Sequence, residues 1–157
     1  KGTPVDNLSN YDSSQERMLY VAPVGQLRSD RLLFVTKTSM CKLVEGAEFD
    51  VAKRTIASTK LADGDELIFI GSASEMEQIV LQSHGGCFLR FLTQEVSTMK
   101  KTALGVRGMK LADDDYLEHA YLLAGHQEYT ISYHDKEYAL NKVRLAKRDT
   151  KGIKPRI

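Results

Sequence analysis

Tryptophan is absent from this chain, cysteine occurs twice and proline three times in 157 residues. Two cysteines without a Cys-x-x-Cys pair make neither a disulfide framework nor a four-ligand zinc site, so a reducing, cytosolic compartment is expected. No apolar run approaches the roughly 18 residues that a membrane-crossing helix needs. The start, Lys1-Gly2-Thr3-Pro4, has no apolar signal core and no initiator Met, which points to a piece of a longer protein. Gly-x-Ser-x-Gly, P-loop and Gly-x-Gly-x-x-Gly motifs are all missing, so no common nucleophile elbow or nucleotide cradle is encoded. Eleven Gly, 42% hydrophobic and 27% charged residues exclude a collagenous, low-complexity or disordered chain. What is left is a globular protein able to bury roughly 70% of its unfolded surface.

A net charge of one sign is also lacking: 22 basic residues face 21 acidic ones. The balance hides blocks. Residues 45–77 sum to −5, 86–111 to +4, 112–119 to −4 and 136–157 to +6. Such blocks are most often solvated loops. In a folded repeat they can also separate a basic rim from an acidic one, and a basic rim attracts a polyanion even at zero net charge.

A repeat is present. Lys60-Leu61-Ala62-Asp63-Gly64-Asp65-Glu66-Leu67 returns fifty residues later as Lys110-Leu111-Ala112-Asp113-Asp114-Asp115-Tyr116-Leu117, identical at six of eight positions. Leu33-Phe34-Val35-Thr36 followed by Met40-Cys41-Lys42-Leu43 aligns with Ile79-Val80-Leu81-Gln82 followed by Gly86-Cys87-Phe88-Leu89. A third copy opens near Tyr129 and closes with Thr150-Lys151-Gly152-Ile153-Lys154. Residues 31–36, 78–82 and 128–133 are rich in β-branched, Leu and aromatic types and read as strands. Short polar turns follow at 37–39, 83–85 and 134–136, and a second strand then makes a hairpin. Residues 66–71 and, less plainly, 116–124 read as further strands. A strand is also expected over 17–24, after an extended piece at 3–8 and a polar loop at 9–15. The fold class is therefore all-β, with propeller-like units at 17–72, 73–124 and 125–157 and the end of a preceding unit at 1–16.

One stretch is more specific. Lys100-Lys101-Thr102-Ala103-Leu104-Gly105-Val106-Arg107-Gly108-Met109-Lys110-Leu111, leading to the acids 113–115, resembles the blade signature of the C-terminal domain of bacterial type IIA topoisomerase A subunits, the family of DNA gyrase and topoisomerase IV. Lys1 to Leu8 is similar to the family's inter-blade strand, and Lys147-Arg148-Asp149-Thr150-Lys151-Gly152-Ile153 to a later blade. The resemblance implies a β-pinwheel, here of about three blades, whose neighbours exchange strands and whose basic rim binds and wraps double-stranded DNA. It implies as partners an ATPase B subunit, together with the rest of the A subunit. It also implies a cytoplasmic, nucleoid-associated setting, and no cofactor in this piece. The Gln-Arg-Arg-Gly-Gly-rich box of the gyrase branch is missing, and gyrase and topoisomerase IV stay open. None of the seven Tyr follows an Arg, unlike the family's cleavage nucleophile, so no catalytic role is expected.

Wrapping DNA needs cations along an arc. By resemblance the DNA-facing candidates are Lys37 and Lys42 in the first blade, with Arg90, Lys100, Lys101, Arg107 and Lys110 in the second. Lys142, Arg144, Lys147, Arg148 and Lys151 are those of the third. Arg107 has a second expected role, holding its turn against an acid of 113–115. Those acids lack EF-hand spacing and read as turns rather than a metal site. Cys41 and Cys87 read as matched small core residues, and His84 and His134 as matched turn residues. The competing reading is a propeller-like protein-interaction module with no DNA binding, which suits the near-zero net charge.

Overall fold

The computed structural model describes residues 2–3, 14, 17–52 and 56–156. The extended piece expected at 3–8 and the loop at 9–15 lie outside these residues, Thr3 and Ser14 apart. Three hairpins follow one another. The first is β1 (Arg31–Thr36) with β2 (Met40–Glu45), then β3 (Leu67–Ser72). The second is β4 (Gln78–Ser83) with β5 (Phe88–Leu92), then β6 (Val106–Arg107) and β7 (Leu117–Leu123). The third is β8 (Thr130–Tyr133) with β9 (Lys136–Ala139). Between residues 17 and 30 there is no strand; Val24–Arg28 forms a single helical turn, α1. The β-prone Val21 and Val24 suggested extension, but Pro23 sits in the preceding position with its φ already fixed and its C=O accepting the Leu27 N–H at 3.0 Å, which starts a helix.

Buried residues run unbroken through β4 and almost so through β1 instead of alternating. Each is the middle strand of a sheet covered on both faces, so both side-chain sets are buried; the polar ones of β4, Gln78, Gln82 and Ser83, lie toward its ends and are hydrogen-bonded to Arg90, Tyr121 and the Cys87 N–H. The sheets have the orders β3-β1-β2-β6, β5-β4-β7 and β8-β9. All their pairings are antiparallel. Leu33, Val35, Cys41 and Leu43 of the first sheet meet Ile79, Leu81, Leu89 and Phe91 of the second in one core. The opposite face of the second sheet, with Val80 and Phe88, packs on Ile131, Tyr133 and Tyr138 of the third. Leu32, Phe34 and Val44, on the outer face of the first sheet, are covered by Tyr20, Leu27 and Phe49.

One strand breaks the one-unit-per-segment division. β6 lies between β5 and β7 in sequence, yet it pairs with β2 of the first sheet, Met40 against Arg107 and Cys41 against Val106. One unit later, Ile153 pairs with Phe88. Both returns begin with a glycine at positive φ: Gly105 at 105° and Gly152 at 75°. A Cβ at either would sit 2.6 Å from a carbonyl oxygen of the strand it crosses, that of Cys41 or Phe88. Only glycine allows this approach.

The hairpins and crossing loops repeat at 47, not the 46 of the hairpin alignment, whereas the acidic turn and the strand after it keep the offset of 50, Thr36 pairing with Leu67 and Ser83 with Leu117. Arg31 pairs with Glu45 and Gln78 with Leu92. Short 3-10 turns begin at Gly46, Thr93 and Leu140. A shift of one residue exchanges the two faces of a strand. Cys41 therefore corresponds to Phe88, and Cys87 to Met40. Cys41 is wholly buried, and burial pushes its thiol up to about 12; Cys87 is half-buried.

Candidate nucleic-acid interface

Sheet order fixes which edge faces out. β3 and β7 touch across the first two sheets, so this edge of the blades converges. The opposite edge carries the crossing segments, which pair with β2 and β5 there. Both segments begin alike. The Met99 N–H donates to the Leu43 carbonyl at 2.7 Å, and the Ala146 N–H donates to that of Arg90 at 2.8 Å. Each chain then leaves the sheet and comes back at Gly105-Val106 or Gly152-Ile153.

The first residue of each excursion is a lysine, Lys100 or Lys147, and both are exposed. The next is also basic. Lys101 and Arg148 are half-buried, and their N–H groups donate to Glu48 Oε1 at 3.2 Å and Glu95 Oε1 at 3.1 Å. These pairs match at the 47-residue period. In the sequence the doublet occurs a third time, as Lys53-Arg54, outside the described residues. An offset of fifty between copies hides this series. Its signal is the spacing of Lys53-Arg54, Lys100-Lys101 and Lys147-Arg148.

Other candidates divide into exposed and committed. Lys110, Lys142, Arg144 and Lys151 are exposed. Arg107 is exposed and pairs with Asp149 at 2.5 Å, not with the acids 113–115. That guanidinium holds the Asp149 carboxyl below its ordinary value. Lys37, half-buried, places its ammonium 4.7 Å above the Tyr116 ring. That ring also stacks on His84, 4.7 Å away, whose Nδ1 meets Glu118 at 2.6 Å.

Three residues expected at the rim are structural ties. Lys42 is 2% exposed and donates to the carbonyls of Lys101 at 2.6 Å and Ala103 at 2.7 Å. Burial lowers its pKa, against the raising influence of Glu48. It occupies the position that Leu89 fills one unit later, and its stem lies along an apolar face. Arg90 donates to Gln78 Oε1 and to the Val143 carbonyl, both at 2.8 Å, joining the second sheet to the third unit. Arg148 donates through Nη1 to the Arg107 carbonyl at 2.8 Å and through Nε to that of Glu95 at 3.1 Å.

The acids of the turns are also spent locally. Asp65 accepts from the Thr38 N–H at 3.1 Å and the Thr38 hydroxyl at 2.6 Å. Asp115 accepts from the Gly85 N–H at 2.8 Å. Each clips a hairpin tip to the strand that follows. Among the described residues no group of three or more His, Cys, Asp or Glu is placed to hold a metal, and no helix is long and apolar enough to cross a membrane.

Comparison with known proteins gives a consistent result. The family described as DNA gyrase C-terminal domain, beta-propeller, matches residues 30–74 and 77–124. The DNA gyrase A subunit of Ureaplasma parvum serovar 3 is 28% identical over 98% of this chain and 19% of its own length. That of Salmonella typhimurium is 34% identical over 73% of this chain and 13% of its own length. The chain thus spans less than a fifth of the length of these relatives. In fold it resembles the crystal structure of the C-terminal domain of DNA topoisomerase IV, with a TM-score of 0.83 over 97% of this chain and 49% of the other, at 24% identity.

Proposed function

The chain belongs to the DNA gyrase C-terminal domain family, and on that premise we propose that it binds duplex DNA along its outer edge without reading sequence. The observation that carries this reading is the basic doublet repeated at equivalent places on successive crossing loops. Lys100 and Lys147 stand one blade apart on the edge that carries the crossings, each at the point where the backbone leaves the sheet. Exposed Lys110, Lys142, Arg144 and Lys151 add to the same outer charge. Cations spaced along a curved edge neutralise successive phosphates and release counterions. They also offset the several kcal/mol that bending a short duplex costs. Lys42, Arg90 and Arg148 act differently. Their charges are spent on carbonyls and a glutamine, and they hold the edge in shape.

In this reading the domain guides DNA for a larger ATP-dependent type IIA topoisomerase, where the rest of the A subunit cleaves and the B subunit hydrolyses ATP. The domain needs no cofactor for its part, because phosphate attraction is Coulombic. Its place is in the cytoplasm, on the nucleoid.

The test is a fluorescence-anisotropy titration of the 157-residue chain with an arbitrary duplex of about 40 base pairs at two salt concentrations. Tight binding at low salt and a steep loss at high salt are expected. The double variant K100E/K147E should weaken binding about 100-fold, because two attractive contacts become repulsive. Absence of binding at low salt would sink the proposal and leave the protein-interaction reading in its place.

A further inference from the structure

The crossing loops each contact an acid where charge alone argues against one. Glu48 lies in the turn Gly46–Phe49 and Glu95 in the turn Thr93–Glu95. Each carboxylate accepts from the backbone N–H of the second basic residue of a doublet, Lys101 or Arg148. A negative group beside a phosphate-binding lysine lowers its pull on DNA. Its recurrence at both loops, with the same atom on the same partner, calls for a geometric cause.

We infer that Glu48 and Glu95 are positioning residues that fix the two crossing loops so that Lys100 and Lys147 project outward. This rests on the reading of the outer edge as a DNA surface. An excursion between two sheet anchors has many conformations, and a loop that must be ordered on binding costs affinity. The carboxylate ties down the peptide immediately after the exposed lysine. A second tie supports each loop from elsewhere. In the first it is Lys42, bonded to the carbonyls of Lys101 and Ala103. In the second it is the Arg148 guanidinium, bonded to the carbonyls of Glu95 and Arg107. The second ties differ in residue and origin, whereas the glutamate is common to both. Between the shared backbone start and the glycine return, it is therefore the side-chain tie that the two loops have in common.

The two roles of an acid predict opposite signs, which lets one experiment separate them. In E48Q/E95Q the amide oxygen still accepts the hydrogen bond, and two repulsive charges are gone. It should bind the same duplex about threefold more tightly than the unaltered chain. In E48A/E95A the same charges are gone, but the tie is lost. Binding should weaken about tenfold, with the reduced salt dependence of a disordered contact. If the alanine variant is poorly folded, E48D/E95D serves: it keeps the charge, shortens the reach and should also bind more weakly. Alanine and aspartate variants that bind as well as the glutamine variant would overturn the inference. Hydrogen exchange of the Lys101 and Arg148 amides provides a readout without DNA. Protection should survive in the glutamine variant and fall in the alanine and aspartate variants. Unchanged protection there would overturn the inference too. Failure of the unaltered chain to bind DNA, with the exchange pattern as expected, would instead remove the functional premise and leave the loop tie standing.

Discussion

The two interfaces between neighbouring blades are built at the same positions from different chemistry. Between the first and second sheets the core is aliphatic, with Leu33, Val35, Leu43, Ile79, Leu81 and Leu89 around Phe91, and the crossing strand closes it with Met109. Between the second and third, Val80, Phe88 and Leu123 are buried, but the half-buried shell is mostly tyrosine: 121, 129, 133 and 138. Phe88 meets Tyr133 and Tyr138 edge-on, at 5.2 and 4.9 Å. The third hairpin explains the contrast. Its strands are four residues each, against six and five in β4 and β5, and they form a sheet of two strands where the second sheet has three. The shorter hairpin cannot cover Phe88 with a long dry sheet. Large rings fill the gap and keep their hydroxyls at the wet margin. A propeller interface is thus specified by which faces meet, and either dry packing or broad amphipathic rings can occupy it.

The largest effects should separate the two interfaces directly. Leu81→Ala empties a fully buried site and should cost about 3–4 kcal/mol, while Tyr138→Ala, at a site open to water, should cost about 2. Urea unfolding of both measures this, and equal losses would break the contrast. Next come the crossing glycines. Gly105→Ala and Gly152→Ala each force a Cβ against a carbonyl at positive φ, and each should lose about 2–3 kcal/mol. Gly105→Ala should be the worse, since it disrupts a two-residue strand pairing where Gly152 serves a single bridge. Thermal melts that reverse this order would show that the second interface depends more on its exchanged strand.

A smaller change tests the polar side of the tyrosine interface. The Tyr121 hydroxyl donates to Gln82 Oε1 at 2.8 Å, and burial pushes its pKa up to about 12, helped by Tyr129 and Glu118. Tyr121→Phe should cost about 1 kcal/mol by leaving the buried amide oxygen unpaired. An alkaline ultraviolet titration should show a tyrosine step near pH 12, and that step should vanish in the variant.

The smallest effect concerns acid, and here the first two blades should behave alike. Burial raises the carboxyl pKa of Asp65 and Asp115, but hydrogen bonds outweigh it, from Thr36 and Thr38 for the first and from Ser83, Gly85 and Tyr116 for the second. Both end below the ordinary 3.8. A depressed folded value means the unfolded chain binds protons first. Their stabilisation is complete above the ordinary Asp range and fades as pH falls through 3.8 toward the lowered folded values. Asp65→Asn and Asp115→Asn should each flatten part of the acid limb of a stability-versus-pH curve. A flattening by only one of them would show that the two turns are not equivalent.

How legible these features are in the sequence depends on the range of the forces that set them. The hairpins are readable because runs such as Leu32-Leu33-Phe34-Val35 and Ile79-Val80-Leu81 declare buried strands by composition alone. The glycine-led crossing at 105–108 is readable through resemblance, since its need arises from a neighbour about sixty residues away in sequence. Two things are not readable. The register comes out one residue short because Cys41 and Cys87 look like counterparts, while the 47-residue period shows only in pairing and in turn positions. Lys42 reads as a rim cation because lysine is rarely buried. Its burial comes from two carbonyls contributed by residues 101 and 103, which no local pattern announces. At Lys100 and Lys147 the chemistry is legible but the equivalence is not, since that too follows the period.

The exchange of strands also sets an order of assembly on the ribosome. The outer edge of the first sheet is closed by Arg107 pairing with Met40, and that of the second by Ile153 pairing with Phe88. Each blade must emerge, fold its hairpin and then wait for about sixty further residues before its last strand arrives. At about 5–20 residues per second that wait lasts several seconds. Throughout it, β2 or β5 presents an unpaired backbone edge, the kind that recruits foreign strands. The nascent chain is thus always one blade behind itself, and its most vulnerable surface moves forward along the polypeptide as synthesis proceeds.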